Sequence, residues 1–314
     1  MSERARSTYR KVVVGVCHGT AAADTMRMAA EFAHLLGLDL HCLFVEDEAL
    51  LALAELPFAR EIQLPSHKWT RLDAGAIEAE IRQMALQARR LMDEIIRDVG
   101  VSAEFQVLRG DPATCIAAVC QTGDIVVVAE NDAPTVPATH SLTRLHIGAH
   151  ESATSILLLP ARLKARHGAI VAMLTDTGDP ALDMAGRLAA LAKEDLVILL
   201  PEAAKRNTTQ RAEASVKDRA QAMGLPSARI NVRFVHDGGD DDALHALVGV
   251  RERLIVMARA ASTPAAASHI AVARGVPLLL VEAEPHAAQE TPRQSRRKPS
   301  TIADSGSPGS STNS

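Results

Sequence analysis

Two histidines four residues apart, His146 and His150, are the first candidates for metal chemistry in this sequence. A helix would place both imidazoles on one face, with His140 nearby, and zinc sites use this spacing. Such a site also needs a third ligand and usually a carboxylate that orients the imidazoles, whereas Glu151 points elsewhere by helical angle. We therefore favour an ordinary surface helix here, and we expect no bound metal.

Two other clusters of reactive residue types have structural explanations. Cys17 and His18 suggest a thiolate pair, but neighbouring residues of a strand face opposite sides, which favours a buried structural thiol. The run Asp240, Asp241 and Asp242 would begin a helix, where carboxylates complement the helix dipole and cap free N–H groups. We expect neither cluster to bind metal or to perform catalysis.

The common catalytic motifs are missing from the sequence, which contains no G-x-S-x-G, no G-x4-G-K-S/T and no H-E-x-x-H. It also offers no identifiable acid–base pair for a phosphate-ester enzyme. We assign no catalytic residue, and the sequence favours a protein that is not an enzyme.

The composition narrows the classes of partner. A length of 314 residues suits two domains, and the formal net charge of −4 with only 2% aromatic residues argues against nucleic acid. The four cysteines form no C-x-x-C pair and are expected to be reduced thiols. Because neither an apolar signal segment nor a membrane-length apolar run is present, we expect no membrane partner and a cytoplasmic protein.

Short apolar runs alternate with helical patterns twice along the chain, which predicts parallel sheets with helices on both faces. The first set of predicted strands is 11–17, 38–45, 103–109, 124–129 and 155–160, with helices at 23–36, 48–56, 70–99 and 111–121. The second set of predicted strands is 169–175, 195–201, 230–236, 253–258 and 276–282. Its helices are predicted at 180–193, in a polar stretch that ends at about 223, and at 240–249. We predict domains at 10–161 and 167–283, followed by a disordered tail at 284–314.

Three stretches carry a resemblance to a known family. VLRGDPATCIAAVCQTGDIVVVAE (107–130) resembles the third strand, third helix and fourth strand of universal stress proteins. KVVVGVCHGTAAADTMRMAAEFAHLLG (11–37) is similar to the opening strand and helix of that family, and HIAVARGVPLLLVE (269–282) to its closing helix and strand. The resemblance implies an adenine-nucleotide alpha-hydrolase-like α/β fold. It would consist of two consecutive doubly wound parallel five-stranded sheets, each in the strand order 3-2-1-4-5.

The resemblance also implies an arrangement of the two copies and a place for a ligand. The fifth strands, 155–159 and 276–281, would meet in an internal pseudo-dimer, and a homodimer is a further expectation. A ligand would lie at the carboxyl ends of strands 1 and 4, where the strand order reverses. The residues that would line this crevice are Cys17, Gly19, Thr20, Val45, Glu130, Asn131 and Thr143 in the first copy, and Thr175, Asp176, Thr177, Arg259 and Ser262 in the second.

Both copies depart from the family's nucleotide motifs, a D-G-S after strand 1 and a G-x2-G-x9-G-S/T after strand 4. In the first copy, Cys17 replaces the aspartate, and Glu130 and Asp132 place carboxylates where phosphate would lie. A carboxylate and a phosphate charge about 4 Å apart repel each other by roughly 4 kcal/mol at an effective dielectric of about 20. The second copy keeps Asp176 as a carboxylate candidate, and Arg259 could bind phosphate bidentately, but glycine is again missing. We expect no cofactor, with ATP as the alternative.

Residues 46–69 interrupt the alternation just after strand 2 and carry an apolar ALLALAELPF stretch with Phe58 and Trp69. They would form either a lid over a small ligand or a plug in the vacated nucleotide pocket, and we favour the plug or an interface role.

Two functions are consistent with these features. The first is a non-catalytic stress-response module that acts by binding a partner or a small ligand. The alternative is a nucleotide-binding regulator (ATP or AMP) or slow ATPase that uses the second domain.

Overall fold

The structure is a computed structural model. It describes residues 9–17, 22–63, 68–129, 140–152, 154–160, 167–202, 206–235 and 240–282. The tail predicted at 284–314 lies outside this part of the chain. No helix among the described residues is long and apolar enough to cross a membrane.

The first half of the chain contains seven strands and five helices within the described residues. The strands are β1 (Lys11–Val16), β2 (Asp39–Asp47), β3 (Arg60–Gln63), β4 (Lys68–Arg71), β5 (Ala103–Gly110), β6 (Ile125–Ala129) and β7 (Ser155–Leu159). The helices are α1 (Ala22–Leu36), α2 (Glu48–Glu55), α3 (Ala74–Val99), α4 (Pro112–Val119) and α5 (His140–Glu151).

The second half repeats the alternation without a hairpin among its described residues. Its strands are β8 (Ala169–Met173), β9 (Leu196–Pro201), β10 (Ile230–Val235), β11 (Glu252–Ala258) and β12 (Leu278–Val281). Its helices are α6 (Pro180–Ala192), α7 (Arg206–Ala222), α8 (Asp240–Ala246) and α9 (Pro264–Arg274).

Ten of these strands form one continuous sheet in the order β10-β9-β8-β11-β12-β7-β6-β1-β2-β5. The first half contributes β5-β2-β1-β6-β7 and the second β10-β9-β8-β11-β12, so each half reads third, second, first, fourth, fifth among its main-sheet strands. The strands within each half are parallel, whereas β7 and β12 pair antiparallel, with Leu157 opposite Leu279. The predicted α/β class is present, but the picture of two separate sheets needs correction, because the fifth strands hydrogen-bond into one sheet.

Short-range sequence signals set the ends of the helices. Asp73, Asp111 and Asp179 precede α3, α4 and α6, and their carboxylates accept hydrogen bonds from the free N–H groups of the first turn. Gly100 ends α3 in the left-handed conformation, with φ of 74°, which glycine adopts without a Cβ clash.

The core lies on both faces of the sheet. One face packs against α1, α3, α6 and α7 and the other against α4, α5, α8 and α9. The central strands are buried on both sides, as Val12, Val13 and Val14 show, which explains why they are continuous apolar runs rather than alternating ones. Each of the two apolar clusters extends across both halves of the chain, so the halves share their core as well as their sheet.

The described part of the segment 46–69 lies beside α3. Helix α2 packs mainly against α3 and β5, toward the outer edge of the sheet. After it comes an antiparallel hairpin, β3–β4, which the sequence analysis did not predict. A lid or plug over the crevice stays a prediction, because Gly19, Thr20, Glu130 and Asn131, which were predicted to line it, lie outside the described residues.

Candidate functional site

The carboxyl edge of the first half is closed by the first turn of α5. The Ser141 hydroxyl donates a hydrogen bond to Asp47, and both side chains are almost fully buried. Asp47 also caps α2 by accepting from the Ala49 N–H at 2.9 Å. Helices α5 and α4 approach closely at Gly148, where a Cβ would lie only 2.6 Å from the Ala113 backbone.

Cys17 and Val45 lie at this edge, as predicted, but both are buried. Burial, and to a smaller extent the nearby Asp47 carboxylate, raise the pKa of the Cys17 thiol to about 12. The thiol is therefore neutral at physiological pH and is not a nucleophile. Cys42 is likewise buried, and desolvation raises its pKa to about 12.

The raised pKa values of Cys17 and Cys42 predict that the protein loses stability at alkaline pH. A thiol whose pKa is raised in the folded state favours the unfolded state once the pH exceeds its ordinary value of about 9. The free energy of unfolding should therefore fall between about pH 9 and pH 12, by about 4 kcal/mol for Cys42 alone. Urea unfolding at several pH values should show this decline, and Cys42→Ala should make it shallower. A decline of unchanged slope in that variant would show that the thiol is not its source.

An ion pair joins α4 to α5 beside this edge. Arg144 meets Asp111 through two hydrogen bonds, Nε to Oδ1 at 2.7 Å and Nη2 to Oδ2 at 2.8 Å. The guanidinium holds the pKa of Asp111 well below its usual range, assisted by hydrogen bonds from Thr114. Thr143, predicted to line the crevice, is exposed on α5. Asp111, the aspartate of the G-D-P sequence, therefore links α4 to α5.

The two histidines lie on α5, as the spacing predicted. His146 Nε2 donates to the carbonyl oxygen of Ala129 at 2.8 Å, at the end of β6. His150 is half-buried, and desolvation, followed by His146 and Arg259, lowers its pKa. Within the described ranges, no three His, Cys, Asp or Glu side chains are grouped so that they could hold a metal ion.

In the second half, the loop after β8 is tied to α6. Thr175 donates to Asp179 Oδ2 at 2.9 Å from both its N–H and its hydroxyl. Asp176 is exposed and accepts from the Gly178 N–H at 2.6 Å, which closes a local turn. Thr177 is half-buried, and its carbonyl oxygen accepts from Arg219 at 2.9 Å. Among the predicted carboxylates that the structure describes, Asp176 is therefore the one that solvent reaches at this edge.

Arg259 follows β11 and reaches across to the first half. Its guanidinium donates to the carbonyl oxygens of His150, Ser152 and Thr154, the last two at 2.5 and 2.9 Å, and pairs with Glu282 at 3.2 Å. The His150 oxygen lies in the last turn of α5, where a helix leaves carbonyls without internal partners, and the other two oxygens lie just after the helix. The donors that the sequence analysis assigned to phosphate are thus engaged inside the protein, and a role toward phosphate stays a prediction.

The remaining predicted residues divide into described and undescribed ones. Ser262 is half-buried and donates from its hydroxyl to the Thr263 carbonyl at 3.1 Å. Gly19, Thr20, Glu130 and Asn131 lie outside the described residues.

Sequence reasoning missed Asp47, Ser141, Asp179 and the partners of Arg259. Asp179 could have been found, because an aspartate directly before a proline is a helix N-terminal signal. Ser141 carries no comparable signal, because its partner Asp47 is distant in sequence.

A small apolar cleft lies elsewhere, between α1 and the strand starts of the second half. Its volume is about 50 Å³, and Glu31 and Arg253 are its charged lining residues. Ordinary small-molecule pockets measure about 300–1,000 Å³, so a nucleotide would not fit here. None of the predicted site residues lines it.

Comparison with known proteins relates this architecture to solved structures, while no family model and no curated protein matches the sequence. A universal stress protein from Archaeoglobus fulgidus DSM 4304 matches at 15% identity and a TM-score of 0.61, covering 88% of this chain and 98% of that one. A second match, described as a universal stress protein from Pseudomonas aeruginosa UCBPP-PA14, is 13% identical with a TM-score of 0.51, covering 87% and 93%. The sheet, its helices on both faces and these matches together show that the chain has the universal stress protein fold.

Proposed function

We propose that this protein is a non-catalytic stress-response module of the universal stress protein type, which acts in the cytoplasm by binding a partner or a small ligand. One observation carries the proposal: three polar side chains that the structure describes at the carboxyl edge, Asp47, Asp179 and Arg259, are used by the fold itself. Asp47 holds Ser141, Asp179 holds Thr175, and Arg259 holds the end of α5. An acid, base or nucleophile must be free to meet a substrate, and these groups are committed to other contacts.

Complementation tests this proposal. Cells lacking the gene should survive starvation, oxidant or heat less well, and the intact chain should restore survival. Asp176→Asn should restore it equally, because an asparagine oxygen still accepts from Gly178 and only the charge is lost. Leu279→Ala, a core change that lowers stability, is the negative control. Normal survival of the deletion strain under every stress would contradict the stress role, and failure of Asp176→Asn would favour a ligand-dependent function.

The exposure of Asp176 favours the alternative, a nucleotide-binding regulator or slow ATPase in the second half. Asp176 lies in the loop that follows β8, the first strand of that half, and it is exposed to solvent. Phosphate release from Mg-ATP separates the two functions. The non-catalytic module predicts release no faster than the buffer blank, whereas turnover that Asp176→Asn abolishes would establish the alternative.

A further inference from the structure

The small cleft between α1 and the strand starts of the second half combines apolar walls with two charged side chains. Helix α1 of the first half forms one wall, and the beginnings of β8 and β11 form the other. The cleft therefore lies at the amino ends of these strands. It is separate from the crevice that the sequence predicted, which lies at the carboxyl ends. We call it the junction cleft.

The wall on α1 follows from the helical period. Met28, Phe32 and Leu35 are separated by four and then three residues, so they share one face of the helix. Glu31 lies on the same face, three residues after Met28, and is half-buried. Its carboxylate makes no hydrogen bond or ion pair with any residue that the structure describes. An unpaired carboxylate is thus placed on an apolar wall.

The second charge comes from an irregularity in β11. Glu252 pairs with Ala169 and Leu254 with Ile170, so Arg253 is an extra residue without a counterpart on β8. Neighbouring residues of a regular strand face opposite sides, yet Arg253 and Leu254 both line the junction cleft. A bulge of this kind redirects a side chain, and bulges are over-represented next to active sites. The bulge therefore explains how Arg253 reaches the cleft.

The two charges do not neutralise each other. Arg253 is half-buried, and among the described residues it pairs neither with Glu31 nor with another acidic side chain. A half-buried charge without a partner has lost part of its hydration with no contact in return. A ligand that carries a carboxylate and an ammonium would supply both missing partners. Its carboxylate could accept two parallel hydrogen bonds from the guanidinium.

The volume of the junction cleft limits the remainder of the ligand. One water molecule needs roughly 10–15 Å³ of such space, so a volume of about 50 Å³ accommodates about four non-hydrogen atoms. Phe32, Leu35 and Leu157 line this space, so the group that fills it should be aliphatic. The side chains of valine, leucine and isoleucine have this size and chemistry, whereas aromatic side chains are too large.

We infer that the junction cleft binds a branched-chain α-amino acid, with the carboxylate on Arg253, the ammonium on Glu31 and the side chain against Phe32 and Leu35. This inference rests on the proposed function, because it gives a chemical class to the small ligand of that function. Glu31 belongs to the first half and Arg253 to the second, so the bound amino acid bridges the two halves.

Equilibrium dialysis of the purified full chain against labelled probes tests the inference. L-leucine carries every required group, whereas isocaproate lacks the ammonium, isoamylamine lacks the carboxylate and glycine lacks the side chain. We expect leucine to bind most tightly and each of the others to bind about tenfold or more weakly, because each loses a hydrogen bond to a charged group or buried apolar surface. Leucine that binds no more tightly than glycine, isocaproate or isoamylamine would overturn the inference.

Two variants assign each charge to its partner. Arg253→Gln should weaken the binding of leucine and isocaproate by about tenfold or more and should not weaken that of isoamylamine. Glu31→Gln should weaken leucine and isoamylamine instead, and should not weaken isocaproate. Because each variant keeps one probe bound, a loss of folding cannot produce this crossed pattern. A variant that weakened all probes equally, or none, would contradict the assignment.

The matched controls change exposed residues outside the cleft. Arg251→Gln lies two residues before Arg253, and Glu94→Gln lies on α3; both should bind every probe normally. The complementation experiment separates this site from the stress role. If the intact chain restores survival but no probe binds, the amino-acid site is wrong and the stress role stands. If the deletion strain survives normally while the crossed pattern appears, the stress role is wrong and the site stands.

Discussion

Replacing Arg259 by alanine should lower the free energy of unfolding by about 3 kcal/mol, because a hydrogen bond to a charged group contributes about 1.5–3 kcal/mol and Arg259 makes several. The Arg259 side chain is 22% exposed, donates to three carbonyl oxygens in the last turn of α5 and just after it, and pairs with Glu282. Without it, these oxygens lose their donors at the junction of the two halves. Urea unfolding followed by circular dichroism measures the loss.

Two controls separate this effect from a general loss of charge. Arg259→Lys keeps the charge but not the planar guanidinium that spans several acceptors. The stability of this variant should lie between those of the unchanged protein and Arg259→Ala. Arg211→Ala removes an exposed arginine on α7 and should change stability by less than about 0.5 kcal/mol. A stability change of less than about 0.5 kcal/mol in Arg259→Ala as well would mean that the guanidinium does not hold the halves together. That result would favour the predicted role of Arg259 in binding phosphate.

Leu279→Ala should cost about 2–5 kcal/mol, the usual range for a buried leucine. Leu279 is fully buried on β12 and lies opposite Leu157 on β7, where the two halves pair. Because the halves share one sheet and one core, the effect should reach the first half. Hydrogen exchange of peptides from β1 should become faster to the same degree as that of peptides from β8.

The same exchange experiment contains its own control. Leu86→Ala removes a leucine that is 53% exposed on α3 and should change exchange in neither half by a comparable amount. If Leu279→Ala accelerated exchange in the second half alone, the halves would open independently, contrary to the shared sheet.

The elements that the sequence predicted well are those with local causes. The strand at 11–17 was recognisable because a strand buried on both faces is a continuous β-branched run, and β1 occupies Lys11–Val16. The helix before Gly100 was recognisable because glycine adopts the left-handed conformation there. Sequence patterns of this kind depend on neighbours within a few residues.

Other features were beyond local patterns. The hairpin strands have four residues each and mix charged with apolar side chains, so 60–71 carries no clear period. Helix α5 was expected only as a surface helix around the histidine pair, and its ends were not predicted. The contacts of Arg259 join residues 105 to 109 positions apart, and no short-range pattern encodes such a distance. The described residues of the predicted crevice lie at the carboxyl edge of the sheet, but the hydrogen bonds that their side chains make within the protein were not foreseen.

The melting temperature with and without Mg-ATP tests most directly whether the carboxyl edge is a structural part of this protein. A ligand at roughly 100 times its dissociation constant stabilises the folded state by about 2.7 kcal/mol. We predict no change with ATP, ADP or AMP at concentrations found in cells. A clear rise with ATP that Asp176→Asn removes would contradict the account and identify the second half as a nucleotide site.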